Sequence, residues 1–467
     1  MAGGQGSVVF LFLVYILAAR ALGAAAYGDF TLGLTIATIF MALPAWGTGR
    51  YASILAAREP ERTSAILAGS LGLTLLLALG YFPLVWLTSS LVTPRTAVAW
   101  VALLLGADLL TREYSILLRL LLRVHGGFLD EMVTVYAERG FMVVGALAVL
   151  LVDPSPVRLA GALAAGRTAG AVVTTVLFVR RVGAFSLRLE RGLLRHLWSA
   201  GTPIAVRRAV GQLNFRVDTL LLGVMRSASE VGWYGTVYTL MDGVVMLPSI
   251  VTGSLGPTLS ANFAEGQRDV VARLYQRGLK YLLYVGIFLA AVFAVLADVV
   301  VADLYGSEYA PAAAALRILA VSVVFIFVRR HATEVLDNVD LRSATAWIFG
   351  AGLLMNVVLN LVLIPRYGYL GAATATVVSE GYLMGAMLWT LHRSAYVASF
   401  MRTLFAPAIA IVPPALLMWR LADSPFLAVT ASAIAYLATL TLLGVWDETD
   451  RLALRSAAAS LRKRLAR

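Results

Sequence analysis

The sequence contains no cysteine. That excludes a disulfide, a thiolate nucleophile and a cysteine-ligated metal, and it leaves the redox compartment undetermined. Histidine is almost as scarce. The four residues His125, His196, His331 and His392 are scattered, and no two have the i,i+4 spacing that would set both rings on one helix face, so no metal site is expected. Charged residues make up only 14% of the 467 positions, against about 25% in an ordinary soluble domain. The first apolar run, residues 8–22, has no Lys or Arg before it and no small-residue cleavage site leading into a soluble domain, so it is expected to be a span and not a signal peptide. No segment is long and polar enough to form an outer domain holding an active site, which argues against an enzyme.

What the chain has in abundance is apolar sequence, 60% of all residues, in runs of about 20 residues, the length needed to cross a bilayer as a helix. Windows of that length predict an all-α polytopic membrane protein with about 14 transmembrane helices. The first seven lie near 6–26, 28–49, 63–87, 97–118, 131–152, 156–179 and 200–225. The second seven lie near 231–257, 279–303, 309–330, 343–364, 368–391, 402–421 and 425–446. Connections after even-numbered spans, with the C-terminal tail, hold 25 of the 38 basic residues, and those after odd-numbered spans hold five. Cytoplasmic connections are the basic ones, so both termini are expected in the cytoplasm, with the protein in the inner membrane.

The net charge of +12 and pI near 10.1 could suggest nucleic acid. The basic residues alternate with membrane-length apolar runs instead of forming a block, so the expected anionic partners are lipids and no nucleic acid is expected. In the tail, Leu454, Leu461 and Leu465 share one helical stripe among basic residues, the pattern of a helix lying on an anionic phospholipid surface.

An internal repeat is visible. Tyr27-Gly28 opens the second span as Tyr234-Gly235 opens the eighth, and Leu159-Ala160-Gly161-Ala162 after Pro154 is similar to Leu370-Gly371-Ala372-Ala373 after Pro365, at offsets that nearly agree. The expected organisation is an N-terminal six-helix lobe (1–180), a basic linker (181–199), a second six-helix lobe (200–395), two added helices (396–446) and a basic tail (447–467).

Eight arginines remain inside the spans: Arg20, Arg112, Arg139, Arg167, Arg207, Arg208, Arg216 and Arg317. Each costs at least about 2.5–3.5 kcal/mol at the bilayer centre. One account is a water-filled central cavity whose guanidinium forks match phosphate oxygens. The other is that they snorkel from span ends or pair with acids such as Glu113, Glu138, Asp218, Asp242 and Glu380. In the seventh span Arg207, Asn214 and Asp218 fall on one face at i, i+7 and i+11. That face suits either substrate or a structural polar seam. Arg216 points the opposite way, and Asp218, Asp242 and Glu380 are candidates for a coupling or a structural acid.

Four stretches resemble the polysaccharide-flippase branch of the multidrug, oligosaccharidyl-lipid and polysaccharide exporter superfamily. They are Ala19-Arg20-Ala21-Leu22-Gly23 with Tyr27-Gly28; Arg216-Val217-Asp218-Thr219 with Glu230-Val231-Gly232-Trp233-Tyr234, Pro248 and Leu255-Gly256-Pro257; Leu304-Tyr305-Gly306-Ser307-Glu308-Tyr309; and Asn356 through Asn360 to Pro365, Tyr367-Gly368, Gly371 and Ser379-Glu380. The resemblance implies two six-helix lobes around a central cavity plus two C-terminal helices. It also implies alternating-access export of an isoprenoid diphosphate-linked oligosaccharide for cell-surface polysaccharide synthesis, without a cofactor. A coupling proton or sodium ion, and a partnership with other glycan-assembly proteins, remain open, and a monomer is expected. Arg20, Asp218 and Glu380 lie inside these motifs, whereas Arg112, Arg139 and Arg167 do not. The rival readings are a multidrug or cation antiporter of the same superfamily, which calls for an acidic cavity, and a membrane glycosyltransferase or polymerase, which calls for acidic residues on a large outer loop.

Overall fold

The computed structural model describes residues 2–183, 189–394, 396, 400–447 and 450. Arg188 and the tail stripe of Leu454, Leu461 and Leu465 lie outside them. The described residues form helices and no strand: α1 (Ala2–Phe40), α2 (Ala42–Ala45), α3 (Thr48–Arg58), α4 (Thr63–Val92), α5 (Thr96–Val124), α6 (Phe128–Val152), α7 (Pro156–Val182), α8 (Arg191–Met225), α9 (Ala228–Ala264), α10 (Arg268–Val295), α11 (Ala297–Tyr305), α12 (Ala312–Asn338), α13 (Arg342–Arg393), α14 (Phe400–Ala410), α15 (Val412–Arg420) and α16 (Pro425–Leu442).

Two of these helices fold back on themselves. In α1 the rings of Tyr15 and Phe30 are 6.1 Å apart, whereas 15 residues of straight helix would separate them by about 22 Å. The reversal is at Gly23, φ 75° and ψ 167°, a conformation open to glycine. In α13 Asn356 reaches Ser379 at 3.2 Å across a reversal at Gly368, φ 57°. Each fold holds two of the expected spans. All fourteen windows fall on helix, and among the described residues nine helical stretches are long and apolar enough to cross a membrane. The charge-bearing α5, α8 and α9 are not among those nine. The ninth window, expected as one run near 279–303, is interrupted at Leu296, between α10 and α11.

The chain gathers into two compact units. The first comprises the chain up to Gly243 with Leu304–Ala315 and Ala346–Ser379; the second comprises Val244–Asp303, Leu316–Thr345 and the chain from Glu380. Their borders cut through α9, α11, α12 and α13.

In the first unit α6 and α7 meet backbone to backbone. A Cβ on Gly166 would stand 2.8 Å from the Met142 Cα, and one on Gly170 would stand 2.5 Å from the Glu138 Cα. Small residues permit that approach in a lipid setting, where helix association relies on van der Waals contact. Hydroxyls of α5 and α7 bond carbonyls one turn back, as in Thr111 to Ala107, Thr168 to Ala164 and Thr174 to Gly170, which satisfies them without water. Leu151 remains 83% exposed at the end of α6, a surface suited to lipid and not to water.

In the second unit Leu279, Leu283, Tyr284, Val328, Tyr436 and Leu440 form one buried cluster. At its edge Lys280 donates to Asp450 at 2.5 Å, joined by the Tyr281 hydroxyl. Burial alone would raise the Asp450 carboxyl, but these donors hold it below the usual carboxylate range.

The Gly170 contact leads to a stability prediction. Gly170→Ala overpacks the α6–α7 crossing and is expected to cost about 1–3 kcal/mol, seen as a lower thermal midpoint of the purified protein. Gly211→Ala, where nothing lies within 4 Å, should leave the midpoint unchanged or raise it.

Candidate functional site

The polar residues of α5 fall on one stripe, with Asp108, Arg112 and Arg119 at i, i+4 and i+11. This stripe faces α6 and α7, where the chain places Glu138 and Arg167. Arg167 is 3% exposed and bridges two helices: its Nε donates to Asp108 Oδ1 at 2.6 Å, and its Nη1 donates to Glu138 Oε1 at 2.5 Å. The other Glu138 oxygen accepts from Arg119 Nη1 at 2.8 Å. A buried guanidinium with two carboxylates and a second cation at the edge is a preorganised network in which every charge has a counter-charge.

One turn along α5, Glu113 accepts from both Arg208 nitrogens, at 2.7 and 3.2 Å, and from Arg112 Nη2 at 3.2 Å. Tyr15, on the first arm of α1, stands within electrostatic range of Asp108, Arg112, Arg139 and Arg167, so the two groups form one neighbourhood. Arg139 differs from the rest. It lies beside Glu138 and feels Arg167 and Arg119, yet among the described residues it forms no ion pair, and its Nη1 is buried without a hydrogen-bond partner there. Arg112 Nε is in the same condition. The neighbourhood thus holds five guanidinium groups, Arg112, Arg119, Arg139, Arg167 and Arg208, against three carboxylates, Asp108, Glu113 and Glu138. The excess is two positive charges, with open donors on two residues.

A second polar centre surrounds Asp218 on α8, which is 1% exposed. Its Oδ1 accepts from the Thr219 amide at 2.6 Å. Its Oδ2 accepts from the Tyr234 hydroxyl at 2.8 Å, from Thr376 at 3.1 Å and from Tyr238. Asn214 donates to the Phe349 carbonyl at 3.1 Å. Asn214 and Asp218 therefore lie on the seam between α8 and α13, while Arg207, two turns earlier on the same face, is exposed. Arg216, unexplained by periodicity, donates to Asp242 at 3.3 Å and lies 5.1 Å from the Phe215 ring centre.

The remaining candidates stand apart. Arg20 is exposed and forms no ion pair among the described residues. Arg317 pairs with Asp298, and Glu380 pairs with Arg329 at 2.5 Å, both within the second unit. Arg112, Arg167, Arg208, Arg216 and Arg317, all singled out from the spans, thus sit on carboxylates. Arg119 and Arg329, at the cytoplasmic ends of the windows near 97–118 and 309–330, belong to the 25 basic residues that set the expected topology, yet their side chains are 11% and 12% exposed. The i, i+4, i+11 stripe on α5 carried the signal for Arg119. Pairing of Arg329 with Glu380, 51 residues away, had no sequence signature.

A model of the family described as polysaccharide biosynthesis protein matches residues 2–263, and a MatE model matches residues 203–362. "Probable flippase AglR" of Haloferax volcanii is 31% identical over 166 residues, 35% of each chain. "Probable low-salt glycan biosynthesis flippase Agl15" of the same organism is 23% identical over 232 residues, 49% of this chain and 48% of that one. The chain thus matches about half or less of the length of these curated relatives. Among solved structures, the lipid II flippase MurJ in an inward closed conformation superposes with a TM-score of 0.75 at 12% identity, covering 95% of this chain and 98% of that one. An inward-facing MATE multidrug resistance transporter superposes at 0.67 with 15% identity, covering 84% and 95%. At these identities the structures establish a shared fold, and the family model spans more than half of the sequence. The chain is accordingly a member of the polysaccharide biosynthesis protein family, built on the fold of the multidrug, oligosaccharidyl-lipid and polysaccharide exporter superfamily.

Proposed function

We propose that this protein is a flippase that moves an isoprenoid diphosphate-linked oligosaccharide from the cytoplasmic to the outer leaflet by alternating access. The observation that carries the reading is the uncompensated guanidinium excess around α5, α6 and α7, with Arg139 and Arg112 holding open donors. An Arg fork matches the paired oxygens of a phosphate, whereas lysine acts as a point charge. Only Lys280 and Lys463 among the 38 basic residues are lysine. The names of the two Haloferax relatives point the same way. An antiporter for cationic drugs would need the opposite charge balance, and the described residues offer no large outer loop for a transferase site.

In this reading both termini are cytoplasmic, the lipid tail stays in the bilayer, and the basic tail rests on anionic phospholipid. The headgroup travels through the cavity between two lobes. A diphosphate diester carries about two negative charges, and an inside-negative potential of 100 mV favours its outward passage by about 2.3 kcal/mol per charge. Asp218 is the candidate coupling acid for a proton or sodium ion: donors from four residues surround its carboxylate, and two of them are tyrosine hydroxyls that can rotate to admit a cation.

Two predictions separate substrate contact from scaffold. Arg139→Gln removes a free donor, so in vesicles carrying the purified protein it should slow headgroup translocation at least about tenfold, the effect of losing one charge-assisted hydrogen bond, with no loss of thermal midpoint. Arg167→Gln strands Asp108 and leaves Glu138 with Arg119 alone, and should destabilise the fold by about 3–5 kcal/mol. Wild-type rates in both Arg139→Gln and Arg112→Gln would remove the basis for an anionic headgroup.

For Asp218, translocation by the Asn variant is expected to lose any response to an imposed pH or sodium gradient while keeping its response to membrane potential. A gradient response that survives unchanged would exclude Asp218 as the coupling site.

A further inference from the structure

The four motifs that resemble the exporter superfamily contribute nothing to the arginine cluster, yet they converge on one another. The reversals at Gly23 and Gly368 each expose the last carbonyls of one helical arm and the first amides of the next, groups that need partners away from water. At Gly23 one turn of chain supplies both. Glu308 Oε1 accepts from the Ala24 amide at 2.8 Å, and the Tyr309 hydroxyl donates to the Ala19 carbonyl at 2.7 Å. At Gly368, Glu230 accepts from the Tyr369 amide at 3.1 Å, and Arg226 donates to the carbonyls of Ile364 and Pro365 at 3.1 and 3.2 Å. The caps are tied together as well: Trp233 Nε1 donates to the Glu308 carbonyl at 3.1 Å, and the Tyr369 hydroxyl donates to the Pro311 carbonyl at 3.1 Å.

The two reversals differ in one respect. Gly368 is capped by its own half of the sequence, whereas Gly23, in the first half, is capped by the second. Just below it, Gly28 and Gly232 cross so closely that a Cβ on either would overlap a carbonyl oxygen of the opposite helix, Ala228 or Ala24. Tyr27 and Thr239 then share a hydroxyl bond at 3.1 Å. Backbone faces joined through glycine have no interlocked side chains, so they can part without repacking. The bonds that resist parting are therefore the carboxylate cap and the tyrosine. By the distribution of basic residues, all of these connections lie on the side opposite the cytoplasm.

We propose that Glu308 and Tyr309 form a latch that holds the outer end of the first helical hairpin closed against the second half of the protein, and that outward opening requires its release. A cap made by an ionised carboxylate is among the stronger hydrogen bonds available, and once parted both backbone groups can bond to interfacial water. This rests on the alternating-access reading above, but its test needs no substrate.

Because the chain has no native cysteine, a single Thr239→Cys reporter beneath the latch can be labelled from outside with a membrane-impermeant maleimide, using the full chain in right-side-out vesicles. Glu308→Gln and Tyr309→Phe should each raise the initial labelling rate at least threefold. Gly28→Ala, which forces the helices apart with the latch residues intact, should raise it as well. Labelling by Glu308→Gln and Tyr309→Phe at the reporter's own rate would overturn the latch. To exclude unfolding as the cause of faster labelling, the same variants should elute as a single species and keep the thermal midpoint to within a few degrees; faster labelling only in variants that fail this check would also overturn it. Failure of the reporter protein without these changes to translocate a lipid-linked oligosaccharide, with latch-dependent labelling intact, would count against the flippase reading and leave the latch standing.

Discussion

The controlling constraint is that a group buried in a bilayer cannot turn to water, so each backbone amide, carbonyl and charge must find its partner within the protein. Helices follow from this at once, because they satisfy their own backbones. What they leave over are ends, reversals and charged side chains, and the polar architecture described above deals with those remainders. Hydroxyls fold back onto carbonyls one turn away, the reversals at Gly23 and Gly368 borrow carboxylates from elsewhere in the chain, and Arg167 is shared between Asp108 and Glu138.

The same constraint sorts the arginines into kinds. Arg167, Arg208 and Arg216 meet carboxylates and so hold helices in place. Arg139, with a buried nitrogen that nothing satisfies, has a cost that a passing anion would offset. A uniformly lined basic cavity would bind an anionic headgroup too tightly to release it. A scaffold that neutralises most of its charge and leaves a small excess suits the proposed carrier better, because such a site would have to be emptied on every cycle.

The exporter-like motifs also divide by role. Asp218 with Tyr234, and Asn356 with Ser379, join the arms of α8, α9 and α13. Glu230, Glu308 and Tyr309 serve the reversals instead. Conformational change in a transporter needs surfaces that separate cleanly, and glycine crossings held by a few polar bonds meet that need better than interdigitated side chains.

The sequence by itself determined the all-helical membrane class, because apolar run length and bilayer thickness are one-dimensional quantities that need no fold to compare. It also located the apolar stretches that form helices, and it isolated Arg112, Arg139, Arg167 and Arg208 as residues requiring an explanation; the reversals at Gly23 and Gly368 became visible only in the fold. Periodicity was enough to place Asn214 and Asp218 on one face. Tertiary structure alone decided which of these charges were neutralised. The partners of Arg167 are 59 and 29 residues away, and those of Asp218 lie as far as 158, and no local pattern records such separations. It alone showed Arg119 to be an interior residue, left Arg139 without a carboxylate, and brought Glu308 to Ala24 across 284 residues. A helix's own hydrogen bonds and apolar face are local properties, whereas the partner of a buried charge depends on which other helix arrives beside it.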